Sequence, residues 1–334
     1  MTTRECTLTA LSHKQPARVP YCVHFTQKAH QAMAAYYGVP VFEKKLGNCL
    51  IFPGSDVANG WSRVAPNVDQ DPFGVQWDRS VDKDIGVVCN RVVTPETIDT
   101  CPLPDPCASY LFSKFASTIA ARPDGVIMAN LGFSLFERAW TMAGMEEVLI
   151  WMAAEPALAH RLLDRILEYN LRYIDKACSF AIDAMSIGDD WGQQRGLIMG
   201  PHLWREFIKP RVRAMYQRIK AHGKFVMIHS CGMVQELFPD LIECGVDVFN
   251  PFQPEVMDVA EMKKRFGDRL SFFGGISTQQ TLPFGTPAQT REEVRRLLDV
   301  VGKNGGYIAA PAHSVPADAR PENIAAMLDV LQNQ

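Results

Sequence analysis

Downstream of residue 120 the chain alternates short, almost wholly apolar runs with longer stretches whose apolar residues recur at helical spacing. Residues 125–130 (GVIMAN) form the first run. Helical stretches over 134–143 and 146–179 follow, the second broken near Glu155-Pro156. A strand over 181–187 leads into Gly188-Asp189-Asp190-Trp191, and a helix begins at Pro201 and reaches about His222; proline is favoured in a first helical turn. The next strand lies in 225–232 (FVMIHSCG). A helix over 234–244 then stops at Gly245, and a strand over 246–249 ends in Asn250-Pro251. A helix over 259–266 stops at Gly267, and a strand over 270–273 ends in Gly274-Gly275-Ile276. A helix over about 287–301, a strand over 307–310 ending in Pro311-Ala312-His313, and a helix over 321–331 close the chain.

At least five strand–helix repeats with long crossovers imply parallel pairing, and strands this apolar imply a sheet covered on both faces. A doubly wound sheet would favour a G-x-G-x-x-G turn after a strand, and none occurs. The pattern therefore predicts an α/β fold of the (β/α)8 TIM-barrel type, with its chemistry at the C-terminal ends of the strands. The N-terminal third is less regular. Residues 18–24 read as the first barrel strand, 73–93 as an irregular β-excursion packed over the barrel mouth, and 102–106 as a loop. No linker or low-complexity segment divides the chain, so 1–334 is expected to form one domain.

Composition narrows the function. With 47% hydrophobic and 21% charged residues the chain has material for a large core, and a net charge of −3 offers no footprint for nucleic acid or an anionic membrane. Nine cysteines without a Cys-x-x-Cys spacing disfavour zinc ribbons, thioredoxin-like sites and ferredoxin clusters. Residues 1–20 lack the apolar segment of a signal peptide, and no apolar run approaches the ~20 residues of a membrane span. A cytoplasmic protein with reduced thiols is expected.

The strand ends carry the candidate chemistry. Residues i and i+2 of a strand share a face, so His229 and Cys231 project together, with Met227 and Phe225 beneath them and Ser230 opposite. An imidazole and a thiolate side by side are two-thirds of a catalytic zinc site. The pair alone is weak, because chance supplies roughly 0.2 His-x-Cys pairs in a chain with 8 His and 9 Cys. A buried cysteine beside a hydrogen-bonded histidine is the plain alternative. The last five strands end in Asp189-Asp190, in His229 and Cys231, in Asn250, in Gly274-Gly275 and in His313, positions that a barrel gathers at one mouth. His313 is a candidate third metal ligand. Asp189, Asp190 and Glu255 are candidates for a weak fourth ligand or for orienting the imidazoles. Asp189 and Asp190 also read as a helix cap and a solvated acid, and Gly274 and Gly275 as a plain turn.

These residues lie in segments that resemble the uroporphyrinogen decarboxylase superfamily, especially its corrinoid-linked methyltransferase branch: 188–212 (GDDWGQQRGLIMGPHLWREFIKPRV), 227–232 (MIHSCG), 245–258 (GVDVFNPFQPEVMD), 272–286 (FFGGISTQQTLPFGT) and 311–324 (PAHSVPADARPENI), with 11–20 (LSHKQPARVP) similar to the family's entry segment. The resemblance implies a (β/α)8 barrel. The methyltransferases it points to bind zinc through a His-x-Cys pair and a later cysteine; His229 and Cys231 match the pair, and His313 stands in the loop where the later cysteine belongs. Decarboxylases carry a histidine in that loop but lack the His-x-Cys, and they carry an arginine-rich motif after the first strand, where this chain has YCVHFTQK (21–28) without arginine.

The resemblance thus implies a zinc-dependent methyltransferase that moves a methyl group between a small methylated or thiol substrate and the cobalamin of a partner corrinoid protein, since no Asp-x-His-x-x-Gly segment binds cobalamin in this chain. Zinc would hold a thiol as thiolate or act as a Lewis acid, with Asp189 or Asp190 as the catalytic acid. Trp191, Asn250, Phe252, Gly274 and Gly275 would line the face covering the corrinoid. A metal-free decarboxylase or lyase, and a non-catalytic corrinoid- or metabolite-binding barrel, are the alternatives. A homo-oligomer is compatible with either class.

Overall fold

The apolar runs pair in chain order. A computed structural model describes residues 1–40, 42, 46–56, 60–121 and 123–334. Seven parallel strands form one curled sheet: β1 (Leu50–Ile51), β2 (Val126–Leu131), β3 (Ala184–Gly188), β4 (Phe225–His229), β5 (Val248–Phe252), β6 (Ser271–Ile276) and β7 (Tyr307–Pro311). Residues 20–23 join its two edges. The Cys22 N–H donates to Ala309 O at 3.0 Å, and the Cys49 N–H donates to Tyr21 O at 2.9 Å. The expected first strand is thus a single bridged residue, Tyr21 against Ala309, and it closes the TIM-barrel-like sheet.

Side-chain parity sorts each strand into an inner and an outer face. Leu50, Val126, Met128, Ala184, Met227, Val248, Phe273 and Ile308 form one buried cluster that fills the barrel. Their alternates Ile127, Met185, Ile187, Val226, Ile228, Phe249 and Phe272 belong to a second, larger core shared with the surrounding helices. Helix Pro156–Cys178 shows why such helices dock: Leu162, Leu163, Ile166, Tyr173, Ile174 and Ala177 recur at three- and four-residue spacing and are all buried. Continuing the inner parity toward the strand ends places Asn130, Ser186, Gly188, His229 and Asn250 at the mouth.

Two strands run further than the sequence pattern predicts. β5 continues through Pro251 to Phe252, with a cis Asn250–Pro251 bond and a register shift between Phe249 and Phe252. Proline lacks an N–H, and an irregular stretch of ladder is where a strand tolerates it. β6 continues through Gly274 and Gly275, both at positive φ. A Cβ on Gly274 would stand 2.7 Å from Phe252 N, at φ +136°. Gly274→Ala should therefore cost about 2 kcal/mol or more, read as a lower urea midpoint with an unchanged slope.

The β-excursion starts earlier than expected. Strands Ser62–Ala65, Val68–Gln70, Gln76–Asp78 and Val87–Val88 make an antiparallel four-stranded sheet, and Trp61, Asp71, Phe73 and Ile85 from this region wall the cavity over the barrel mouth. Among the described residues no helix is long and apolar enough to cross a membrane.

Candidate functional site

Parity and register build the site. In the parallel pairing of β4 with β5, His229 lies beside Asn250, and on its other side it faces Gly188 of β3, which has no side chain to compete for space. The Asn250 Nδ2 donates to Phe273 O at 3.0 Å. A carbonyl only accepts, so the amide is oriented and its Oδ1 turns to His229 Nδ1 at 2.6 Å. Nδ1 therefore carries the proton, and the Nε2 lone pair faces outward, 3.5 Å from Cys231 Sγ.

His313, in the loop after β7, brings its ring 5.6 Å from that of His229 at 66°. One ligand atom from each of His229, Cys231 and His313 lies within 4.8 Å of the others. Tetrahedral zinc, with bonds of ~2.0–2.3 Å, separates N and S ligands by roughly 3.3–3.6 Å, so the His229–Cys231 pair already stands at ligand spacing. An N, S, N donor set with an oriented imidazole suits zinc. His313 is exposed at the rim of the mouth, yet desolvation by the surrounding walls lowers its pKa, with His229 adding to the effect, which favours the neutral ligand form. The Cys231 thiol is pushed up by burial and then by the neighbouring Asp190, so a metal must displace its proton. Asn250→Ala should weaken metal affinity about 10–100-fold, measured by competition with a chromophoric chelator, because the His229 ring loses its tautomer lock.

A cavity of about 750 Å³ opens from these groups and is lined by Asp190, His229, Asn250 and His313. Asp190 Oδ1 accepts the Cys231 N–H at 2.8 Å. The structure separates it from its neighbour. Asp189 is fully buried outside the cavity and accepts the N–H groups of Leu135, Phe136 and Glu137 at 2.8–3.1 Å and the Trp191 indole N–H at 2.6 Å. It caps helix Phe136–Ala143, and burial lifts its carboxyl to about 6 although these donors pull it back. The expectation that it acts as a catalytic acid is corrected by this placement.

Four candidates for the corrinoid-covering face also lie elsewhere. Trp191 is fully buried against Trp204, edge to face at 5.2 Å. Phe252 stacks on Phe272 at 4.3 Å, because the irregularity in β5 turns it away from the inner face. Gly274 and Gly275 let β6 pass closely against Phe252 and Tyr307, whose hydroxyl donates to Gly274 O at 2.8 Å. Glu255 accepts from Ser277 Oγ at 2.6 Å and from the Gln279 N–H at 3.1 Å, which fixes a loop.

Three cavity residues escaped the sequence reading. Glu137 lines the cavity, where burial, then Asp190 and Asp189, push its carboxyl above the usual carboxylate range. His24 lines the same wall, its Nε2 3.3 Å from Cys22 Sγ, in a second imidazole–thiol contact. Arg138 enters from the same helix as Glu137. Both helix residues sit in a helix start after β2, where strand parity says nothing, and a charged pair there reads as solvated surface.

A family model for uroporphyrinogen decarboxylase (URO-D) matches residues 71–334. The chain is 24% identical over 240 residues to the uroporphyrinogen decarboxylase of Methylococcus capsulatus, covering 69% of this chain and 66% of that one. It is 24% identical over 171 residues to a methylated-thiol–coenzyme M methyltransferase of Methanosarcina mazei, covering 50% and 44%. It is also 24% identical over 187 residues to a methylcobamide:CoM methyltransferase of Methanosarcina barkeri, covering 56% and 52%. The matches thus span about half to two thirds of these relatives' own length. A solved methyltransferase from Methanosarcina mazei superimposes over 100% of this chain and 99% of its own, with a TM-score of 0.73 at 16% identity, a likeness of fold.

Proposed function

The chain belongs to the uroporphyrinogen decarboxylase family, and from that membership we propose that it is a zinc-dependent methyltransferase, moving a methyl group between a small methylated or thiol substrate and the cobalamin of a partner corrinoid protein. The observation that carries this reading is the convergence of His229 Nε2, Cys231 Sγ and His313 on one point of the mouth, with Asn250 fixing the His229 tautomer. Methyltransferases among its relatives support the reaction class.

His229, Cys231 and His313 would hold the metal, leaving a fourth position toward the cavity. Bound zinc would supply Lewis acidity, holding a thiol as thiolate or polarising the heteroatom that leaves a methylated donor. The protein's own groups do the rest. Asn250 keeps the His229 ring oriented, and Asp190 fixes the Cys231 backbone through its N–H. Glu137 lines the cavity, and burial and the neighbouring Asp190 favour its protonated form, so it is the acid we assign to donate a proton to a leaving heteroatom. The aromatic walls, Phe73, Phe133, Tyr169 and Phe273 among them, limit water in the cavity.

The decarboxylase reading meets a physical obstacle. Porphyrinogens carry several carboxylates, which call for clustered arginines, and among the described residues Arg138 is the one lysine or arginine that lines the cavity. Incubation of zinc-loaded protein with methylcobalamin and a panel of thiols, followed by cobalamin absorbance, tests the proposal. Demethylation that requires the metal is expected. Metal-independent release of carbon dioxide from uroporphyrinogen, with no demethylation, would contradict it.

A further inference from the structure

Cys231 lies beyond His229, the last paired residue of β4. Its Sγ nevertheless stands 3.5 Å from His229 Nε2, so groups outside the strand ladder must hold its loop. Four consecutive N–H groups fasten it, and each acceptor comes from another part of the chain. Ser230 donates to Asn250 O at 2.8 Å, Cys231 to Asp190 Oδ1 at 2.8 Å, Gly232 to Gln253 Oε1 at 2.8 Å and Met233 to Gln193 O at 2.9 Å. Gly192 and Gln193 belong to a small hairpin that packs directly on the loop. A Cβ on Gly232 would stand 2.5 Å from Gly192 C, and one on Gly192 would stand 2.6 Å from Cys231 O.

Gln253 reaches the loop from just past β5. It is buried, and its own carbonyl accepts the N–H groups of Val256 and Met257 at 3.3 and 3.2 Å, so its main chain is fixed in a turn. One strand and its end thus serve both halves of the His-x-Cys pair: Asn250 orients the His229 ring, and Gln253 holds the backbone beside Cys231. Asp190 also faces the cavity, whereas Gln253 is neutral and lies outside the cavity lining. Replacing it therefore changes the loop's support without changing the cavity's walls. We propose that Gln253 is a positioning residue for the metal centre, its amide oxygen setting the Cys231 loop so that the sulfur meets His229 Nε2 at ligand spacing before a metal arrives. This rests on the zinc reading of the His229–Cys231–His313 donors.

The test titrates full-length protein with zinc, by chelator competition, and with cobalt(II), whose thiolate charge-transfer absorption reports the bond to sulfur. Gln253→Met keeps the side chain's length but offers no oxygen to the Gly232 N–H. It should bind zinc about 10–100-fold more weakly and show a weaker thiolate-to-cobalt absorption. Gln253→Glu, which restores an acceptor oxygen, should recover both. Gln253→Asn, one methylene shorter, should fall between them, and it carries the comparison if Gln253→Met does not fold. A merely structural role would lower the urea midpoint and leave the affinity and absorption of the folded protein unchanged. Unchanged values in the folded Met or Asn variant, or a loss that Gln253→Glu does not recover, would overturn the proposal. Wild-type protein that binds neither metal would overturn the zinc reading together with it, whereas wild-type binding with unaffected variants would overturn the positioning role alone.

Discussion

Replacing Cys231 by alanine should release the metal and lower methyl transfer by roughly a thousandfold or more. Cys231 is the one thiol in the donor set, half-buried at the mouth, and no other cysteine lies with His229 and His313 among the described residues. Cys22, whose Sγ contacts His24 Nε2 at 3.3 Å, is fully buried and stands outside this donor set. His229→Ala should have a similar effect, because it removes the oriented nitrogen 3.5 Å from that sulfur. Cys89→Ala, at an exposed position away from the site, should leave both metal and transfer unchanged and serves as the control.

Asp189→Ala should be among the most destabilising single substitutions in the chain. Three backbone N–H groups and the Trp191 indole N–H would lose their acceptor inside a fully buried environment. Each unpaired buried donor costs about 1–3 kcal/mol, against a total stability of about 5–15 kcal/mol for a typical domain. The variant should be largely unfolded or recovered only in inclusion bodies, with Asp189→Asn intermediate because one amide oxygen still accepts. Asp190→Asn should stay close to wild type in urea denaturation, since the Cys231 N–H that it accepts can bond an amide oxygen equally well. Two adjacent aspartates thus separate into a structural and a cavity-facing group, and denaturation curves of the two variants measure the separation.

Much of this was legible in the chain. Strand–helix alternation indicated the barrel, and period-two parity put His229 and Asn250 at the mouth. The same parity, carried on from Ala184 through Ser186 and Gly188, sends Asp190 inward and Asp189 and Trp191 outward, as the structure places them. The alternative reading of the pair as a helix cap and a solvated acid agrees with Asp189, which accepts the first N–H groups of helix Phe136–Ala143. Phe252 was not recoverable in this way, because the register shift after Phe249 breaks the alternation that would have turned it inward. Gly274 and Gly275 are explained by close approach to Phe252 and Tyr307, a long-range contact that local sequence does not encode. Glu137, Arg138 and Asp71 reach the cavity from a helix start and from the excursion, so only the folded chain brings them to the strand ends.

Elemental analysis of the purified protein after zinc supplementation and desalting tests the central claim most directly. The account predicts about one zinc per chain, lost on Cys231→Ala and on His229→Ala and retained on Cys89→Ala. A protein that takes up no zinc, or one that keeps its full complement in both ligand variants, would contradict it.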